Sequence, residues 1–169
     1  MLQASAKTLG WEDSHIVNIR SATAADIPAV IVLERECATA AHWTEEQYQQ
    51  IFERREGDGI ERLVLVVEDD TTSSLLGFLI AQHVHPEWEL ENIVVASGCR
   101  RKGLGTLLLE KLVRHARETN GESVFLEVRE SNQSARALYA KLGFRESGGR
   151  QGYYANPAED AVIFQLDLC

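Results

Sequence analysis

A short segment rich in glycine and basic residues carries the strongest chemical signal in this sequence. It runs from Cys99 to Leu108, CRRKGLGTLL, between a strand-like run that ends at Val95 and a helix-like run that begins near Leu104. Glycine lets the backbone bend tightly and approach a ligand closely. A helix N-terminus offers unpaired N–H groups and about half a positive charge. Gly103, Gly105 and the cations before them therefore predict a pyrophosphate-binding site.

Two common phosphate-binding loops do not fit the spacing of this segment. A Walker loop requires lysine directly after its second glycine, but Leu104 follows Gly103 here. A Rossmann fingerprint requires glycine or alanine three residues after its second glycine, and this chain has Leu108 at that place. The remaining pattern is Arg-x-x-Gly-x-Gly, from Arg100 to Gly105. On its own, this hexapeptide is also compatible with an ordinary helix start that carries surface cations.

Three polar side chains in one later stretch, Glu127, Asn132 and Tyr139, also suit chemistry. Glu127 lies mid-strand between apolar neighbours, where a carboxylate is costly to bury unless it is paired. It can pair with a cation, such as Arg129 or an arginine of a facing helix, or act as a general base at the floor of a cleft. Asn132 can cap a helix, and Tyr139 has the helical spacing of a core residue. The pattern alone leaves structural and chemical roles open for all three.

Strands and helices alternate in the segments that would position these residues. Their predicted order is β-α-α-β-β-β-α-β-α-β-β. The predicted strands are 15–20, 61–68, 75–84, 89–96, 123–129, 144–150 and 161–168, and the predicted helices are 25–38, one from Thr44, one from Leu104, and 133–142. Thr44 and Gln47 form a capping box, and Trp43 can pack onto Tyr48.

The helix between strands 89–96 and 123–129 predicts that those two strands are parallel and joined by a right-handed crossover. We therefore expect an α/β fold, a central mixed sheet of about seven strands flanked by about four helices. A parallel pair that splays apart would admit a narrow, extended arm of a ligand.

The composition is that of a soluble globular protein. The chain has 169 residues, 44% of them hydrophobic and 25% charged, which predicts one domain over 16–169 after a polar N-terminal extension over 1–15. Neither a membrane span nor a secretory signal is visible. Cys37, Cys99 and Cys169 are far apart and odd in number, so we expect no disulfide framework, no metal site and a cytoplasmic location. The net charge of −9 argues against nucleic acid and favours a cationic partner.

The stretch from Leu126 to Phe144 resembles the second signature of the GNAT family of N-acetyltransferases. It reads Leu-Glu-Val-Arg-x-Ser-Asn-x-x-Ala-x-x-Leu-Tyr-x-x-Leu-Gly-Phe. Arg-x-x-Gly-x-Gly resembles the acetyl-CoA pyrophosphate loop of the same family. The likeness spans about residues 17–168 and is greatest to the bacterial ribosomal-protein-alanine N-acetyltransferases. It also includes the run 89–95, Trp43, the pair 153–154 and the run 159–161, whereas 96–99 lacks the proline and aromatic residue common in the family.

The resemblance implies an acetyl-CoA-dependent N-acetyltransferase, a transferase that needs no metal. The residues that it assigns to acetyl-CoA are Ile93, Val94, Val95, Arg100, Arg101, Lys102, Gly103, Leu104, Gly105, Thr106 and Asn132. The backbone of 93–95 would hold the acetyl and pantetheine arm, and amides of 101–106 would bind the pyrophosphate. Glu127 would be the general base and Tyr139 the general acid.

These residue types suit direct acetyl transfer. A protein α-amine has a pKa of about 8, so it arrives mostly as ammonium and must lose a proton before it attacks the thioester. Glu127, directly or through water, can accept that proton, and Tyr139 can protonate the leaving thiolate. A strand amide, that of Val94 or Val95, can stabilise the oxyanion. No covalent acyl-enzyme is required.

The acceptor is open to three hypotheses. The first is the N-terminal α-amine, an alanine, of a ribosomal protein. Acidic Glu87, Glu89 and Glu91 suit a basic N-terminal peptide, although they also suit a solvated rim. The second is a small-molecule amine such as a polyamine, an amino acid or an aminoglycoside. The third is a non-catalytic domain that binds acyl-CoA as a sensor, against which the presence of both Glu127 and Tyr139 argues. Neither nucleic acid nor a membrane is an expected partner.

Overall fold

The computed structural model describes residues 5–8, 16–53 and 60–169. Its strands are β1 Ser5–Thr8, β2 Ile16–Ser21, β3 Arg62–Asp69, β4 Leu75–Val84, β5 Glu87–Val95, β6 Ser123–Arg129, β7 Arg145–Ala155 and β8 Ala158–Asp167. Its α-helices are α1 Ile27–Arg35, α2 Glu45–Phe52, α3 Leu104–Glu118 and α4 Gln133–Lys141. No helix in these ranges is long and apolar enough to cross a membrane.

The strands form one mixed sheet in the order β1-β2-β3-β4-β5-β6-β8-β7. Neighbouring strands are antiparallel except β5 and β6, which are parallel and joined through α3. The predicted fold class, the single parallel pair and the flanking helices are therefore confirmed. Strand β7 ends later in the chain than predicted and β8 begins earlier, because their shared hairpin continues to a turn at Asn156 and Pro157.

An eighth strand adds to the predicted seven. Ser5–Thr8 pairs antiparallel with β2, with Ser5 opposite Ile19 and Thr8 opposite Ile16. This strand lies in the segment 1–15 that the sequence predicts to be a polar extension. Its sequence, Ser-Ala-Lys-Thr, lacks the alternation of apolar residues by which strands are recognised. An edge strand is held by one neighbour and needs no apolar face, so the sequence could not predict it.

The sheet separates two hydrophobic cores. The leucines of α3 and the inner face of α4 pack on one face, which we call the α3/α4 face. Helices α1 and α2 pack on the opposite face, the α1/α2 face, against Val66, Phe78, Ile80 and Val94. In β6, Val124, Leu126 and Val128 belong to the α3/α4 core, so the side chains between them point toward the α1/α2 face.

A bulge changes the course of β5 near the middle of the strand. The β4–β5 register shifts where Ile80 is opposite Asn92 and Ala81 is opposite Leu90, which leaves Glu91 as the extra residue. Such a bulge bends its strand and increases the local twist. Strand β5 pairs with β6 only from Glu87 to Leu90, so the two parallel strands separate beyond that point. The parallel pair thus splays apart beyond Leu90.

Candidate active site

The separation of β5 and β6 leaves a gap in the sheet, and this gap is the centre of the candidate site. One wall is the end of β5, residues 91–95, which pairs with β4 on its other side. The second wall is the end of β6, Glu127 to Arg129, which pairs with β8 on its other side. A strand edge without a neighbour presents free N–H and C=O groups to whatever enters. The gap can therefore hold an extended ligand arm by strand-like pairing.

Only alternate backbone groups of β5 face this gap. The Ala96 N–H donates to the Leu76 carbonyl in β4, and the Val94 carbonyl oxygen also lies on the β4 side, against Gly77. Because backbone groups alternate along a strand, those of Ile93 and Val95 point into the gap. Of the two amides that the sequence suggests for the oxyanion, that of Val95 points into the gap and that of Val94 points toward β4.

The glycine-rich loop forms a concave backbone before α3. Arg101 and Gly103 both have positive φ, 60° and 83°. The Leu107 N–H donates to the Gly103 carbonyl, so the helix begins there and the earlier amides of its first turn, through Thr106, have no partner within the helix. No atom lies within 4 Å of the position of a Cβ on Gly103, so this side of the loop is open. Successive N–H groups in such a turn bind anions, which fits a pyrophosphate.

Two residues of the loop have structural roles besides the one predicted. The Arg100 Nε donates to the Val95 carbonyl at 3.3 Å, which ties the loop back to the end of β5. A Cβ on Gly105 would lie 3.1 Å from the Leu138 Cδ2, so this glycine allows α3 to pack closely on α4. The side chains of Arg101 and Lys102 lie at the surface, where a polyanion can reach them.

Asn132 caps α4, as its position before the helix predicts. Its Oδ1 accepts a hydrogen bond from the Ala135 N–H at 3.2 Å. The residue is half-buried, and the cap uses the oxygen of its amide group. The predicted contact with acetyl-CoA would therefore be made by the Nδ2 group.

Glu127 lies on the α1/α2 face of the sheet, beside the gap, with its side chain only 12% exposed. The Arg150 Nε lies 2.6 Å from its Oε1, so the carboxylate is paired with a cation. The sequence offered Arg129 as such a partner, but the partner comes from β7. A hydrogen bond between Glu127 and the Tyr153 hydroxyl raises the pKa of that tyrosine to about 12. Arg150 is 57% exposed, so solvent and substrate can reach this pair.

Arg129 instead fastens the β7–β8 hairpin to the end of β6. Its guanidinium lies 4.2 Å from the centre of the Tyr154 ring, 3.5 Å from Glu159, and donates to the Pro157 carbonyl. Glu159 also accepts from the Ser131 N–H at 2.6 Å. The hairpin that carries the two adjacent tyrosines is thus held against the strand that carries Glu127.

Tyr139 is buried on the α3/α4 face. Its ring packs against Phe144 and Phe164, with ring centres 6.0 and 5.9 Å apart. Burial raises the pKa of the Tyr139 hydroxyl, and the nearby Tyr154 raises it further. Burial raises the pKa of Tyr154 and Glu127 raises it further, so the two predicted catalytic residues share this tyrosine as an electrostatic neighbour. A tyrosine of raised pKa stays protonated at neutral pH and can act as an acid.

Glu91 is a further carboxyl group at the gap that sequence reasoning assigned only to an acidic rim. As the bulge residue, it lies where the two strands begin to separate. Burial raises its pKa, and Arg62, with its Nε 3.4 Å from the Glu91 Oε2, opposes that shift. Only the position of the bulge distinguishes Glu91 from its neighbours, and the sequence carries no clear sign of a bulge.

Comparison with known proteins agrees with this geometry. The sequence profile of the acetyltransferase (GNAT) family matches residues 27–144, which include both walls of the gap and the loop. The chain belongs to the GNAT family of acetyltransferases.

Two relatives of this GNAT protein illustrate the likeness. It is 36% identical over 154 residues to the [ribosomal protein bS18]-alanine N-acetyltransferase of Salmonella typhimurium, covering 90% of this chain and 97% of that protein. It is 30% identical over 151 residues to a putative enzyme of the same name from Bacillus subtilis, covering 89% and 95%. GNAT enzymes take their acetyl group from acetyl-CoA, so this chain is an acetyl-CoA-dependent N-acetyltransferase.

A solved structure extends the agreement to the fold. The crystal structure of the ribosomal-protein-S18-alanine N-acetyltransferase from Escherichia coli superposes with a TM-score of 0.77 at 32% identity, covering 90% of this chain and 94% of that one. The resemblance that the sequence predicted is therefore confirmed at the level of family and fold.

Proposed function

We propose that this GNAT protein acetylates the N-terminal α-amine of a ribosomal protein, with alanine as the acceptor residue. The observation that carries the proposal is the gap between β5 and β6, with Glu127 on one of its walls and the anion-binding loop beyond its β5 end. The names of the relatives supply the acceptor class. Such an acceptor would place the protein in the cytoplasm.

Acetyl-CoA supplies the activated acetyl group. The amides of the first turn of α3, from Gly103 to Thr106, would bind the pyrophosphate, with Arg101 and Lys102 nearby as counter-charges. The backbone groups of Ile93 and Val95 would hold the pantetheine arm along the gap, and the Val95 amide would also donate to the carbonyl oxygen under attack. These assignments rest on the direction of backbone groups and on the open space beside Gly103.

Glu127 would accept the proton from the incoming ammonium group. Its carboxylate is paired with the Arg150 guanidinium, which is exposed to solvent, and an incoming ammonium would displace this guanidinium from the carboxylate. The Tyr153 hydroxyl, hydrogen-bonded to the same carboxylate, would keep it oriented toward the gap. A deprotonated amine held beside the thioester then gains from proximity, without a covalent enzyme intermediate.

Tyr139 would protonate the leaving thiolate. It approaches from the α3/α4 face, the face on which α3 begins with the pyrophosphate loop. Its hydroxyl, with its pKa raised by burial, is protonated at neutral pH and would donate that proton to the sulfur as the C–S bond breaks.

The acidic charge on the α1/α2 face supports a basic peptide as the acceptor. Glu87 accepts one hydrogen bond from the Ser123 hydroxyl at 2.8 Å, and Glu89 accepts one from Gln82 at 2.7 Å. Both of these donors are neutral, so they orient the carboxylates without cancelling their charge. Together with the net charge of −9, these groups favour an N-terminus followed by arginine or lysine.

An acetyl-CoA turnover assay with release of free thiol tests the proposal. A peptide that begins Ala-Arg is compared with its N-acetylated twin and with a peptide whose only amine is a lysine side chain. Thiol release with the free N-terminus alone is the expected result. If none of the peptides is acetylated while a polyamine, amino acid or aminoglycoside is, the acceptor is a small molecule. If acetyl-CoA binds and no amine is acetylated, the protein is an acyl-CoA sensor.

A further inference from the structure

A buried carboxyl group outside the catalytic pair joins three elements of the α1/α2 face. Glu34, on α1, is only 1% exposed, and its two oxygens accept hydrogen bonds from different parts of the chain. Oε2 accepts from the Trp43 N–H at 3.0 Å, and Oε1 accepts from the Asn92 Nδ2 at 2.8 Å. A buried glutamate is costly unless its oxygens are satisfied, so its presence requires a reason.

The Tyr48 hydroxyl of α2 completes the cluster. It is hydrogen-bonded to Glu34, and the Asn92 Nδ2 also lies 3.4 Å from it. The four residues Glu34, Trp43, Tyr48 and Asn92 thus form one network, which we call the Glu34 cluster. It connects α1, the segment before α2, α2 itself, and the β5 wall of the gap.

The cluster stands directly beside the gap. Asn92 follows the bulge residue Glu91, in the part of β5 that no longer pairs with β6. Its side chain points toward the α1/α2 face, which is also the face of Glu127. Trp43, which is half-buried and packs against the ring of Tyr48, therefore lies on the side of the sheet from which an amine would reach the base.

Loss of the cluster would affect its elements unequally. Strand β5 is also held by its ladder with β4 and by the core residues Leu90 and Val94. Helix α2 buries only Tyr48, and its other apolar residues are half-buried, so it depends more strongly on Glu34. Removing the carboxyl group should therefore displace Trp43 and α2, on the side where the amine would enter, while β5 keeps its place.

We propose that Glu34 is a positioning residue that fixes Trp43 and α2 as the border of the acceptor site, so that the amine is presented to Glu127. This inference rests on the proposed function only in assuming that an amine enters from the α1/α2 face. Glu34 does not touch either substrate, because its side chain is enclosed by the cluster.

Three substitutions test this role. Glu34→Ala removes both oxygens. Glu34→Gln is the conservative variant, because its Oε1 still accepts from the Trp43 N–H and the Asn92 amide can turn over to accept from its Nε2. Glu36→Ala, at the exposed end of the same helix, removes an equal charge without touching the cluster. Michaelis constants for the acceptor and for acetyl-CoA are measured separately, and hydrogen–deuterium exchange is followed in 45–52 and 87–95.

In Glu34→Ala we expect the acceptor KM to rise about tenfold, while the acetyl-CoA KM stays within about twofold. Amides of α2 should exchange faster, those of β5 should not, and Glu34→Gln and Glu36→Ala should resemble the unaltered protein. Equal increases in both Michaelis constants, unchanged exchange in α2, or a Glu34→Gln variant as impaired as Glu34→Ala would each overturn the proposal.

The test stays decisive if a variant does not fold or if the expected acceptor is not a substrate. If Glu34→Ala does not fold, Tyr48→Phe removes one hydroxyl and keeps the ring that packs on Phe78. An unchanged acceptor KM in that variant would overturn the proposal. If the Ala-Arg peptide is not a substrate, the proposed acceptor fails by itself, and the same variants are compared with the amine that is acetylated. If no amine is acetylated, the hydrogen–deuterium exchange of α2 decides whether Glu34 holds that helix in place.

Discussion

Glu127 and Tyr139 lie on opposite faces of the sheet and share Tyr154 as an electrostatic neighbour. Glu127 points to the α1/α2 face, whereas Tyr139 packs in the core of the α3/α4 face with Phe164. A continuous sheet would keep two such groups apart. Because β5 and β6 separate beyond Leu90, a substrate in the gap can be reached by both. In the proposed mechanism, base and acid would therefore act on different sides of one reacting centre, and the amine and the thiol would not need to share an entrance.

Replacing Glu127 by glutamine should lower turnover by roughly 10²–10⁴-fold, because the amide cannot accept the proton of the incoming amine. The acetyl-CoA KM should change little, since the carboxyl group lies on the α1/α2 face, from which the acceptor is proposed to enter. Steady-state thiol release measures both constants. Glu130→Gln, an exposed glutamate just beyond the same strand, is the matched control and should keep full activity. A normal rate in Glu127→Gln would transfer the role of base to Glu91 or to water.

Replacing Tyr139 by phenylalanine should lower turnover by about 10²-fold or more with little loss of stability. The ring can keep its contacts with Phe144 and Phe164, so thermal unfolding should change by only a few degrees. The comparison of turnover with melting temperature separates the acid role from packing. A variant that loses stability but, when folded, retains its rate would show that Tyr139 is a core residue only.

Replacing Gly103 by valine should raise the acetyl-CoA KM by about tenfold or more. The residue has a φ of 83°, and a side chain in this region costs about 1–3 kcal/mol, so the loop is expected to change its conformation. Gly98→Val is the matched control, because a Cβ there also meets no atom within 4 Å and its φ is not positive. Equal acetyl-CoA constants in the two variants would contradict a pyrophosphate role for this loop.

Replacing Asp26 by asparagine should weaken the acid dependence of stability. The Arg20 guanidinium, 2.9 Å away, lowers the pKa of Asp26 in the folded protein. A carboxyl group with a lowered folded pKa stabilises the fold above its unfolded pKa of about 3.9, and this contribution is lost as the pH falls through the folded value. We expect Asp26→Asn to cost about 1–3 kcal/mol at pH 7 and progressively less below pH 4. Chemical denaturation across this pH range measures the difference, with exposed Asp70→Asn as the control.

Local signals in the sequence predicted local structure well. The capping box is one example: the Gln47 N–H donates to the Thr44 Oγ1 at 3.2 Å, and the Thr44 N–H donates to the Gln47 Oε1 at 2.8 Å. The Trp43 and Tyr48 rings pack with centres 5.6 Å apart, as predicted. The residues of such motifs are near one another in the chain, so their spacing is sufficient to identify them.

Contacts between distant segments were not predictable in the same way. Glu34 and Asn92 are 58 residues apart, and neither shows its partner in the sequence. The pairing of Glu127 with Arg150 depends on how β7 lies beside β8, which no local pattern sets. The family resemblance named the residues around the gap, but their orientation, such as that of the Val94 amide, required the structure.

The bulge at Glu91 also changes which residues of β5, even-numbered or odd-numbered, face a given side of the sheet. Before it, the even-numbered residues Trp88 and Leu90 face the α3/α4 core, whereas after it the even-numbered Asn92 and Val94 face α1. One strand thus supplies apolar residues to both cores and still delivers a polar side chain to Glu34. A chain that lacked this single residue would place Asn92 directly after Leu90, still on the α1/α2 face by ordinary alternation, but without the bulge that bends β5 where it separates from β6. The extra residue therefore sets the shape of the strand beside the gap and leaves unchanged which side chains enter each core.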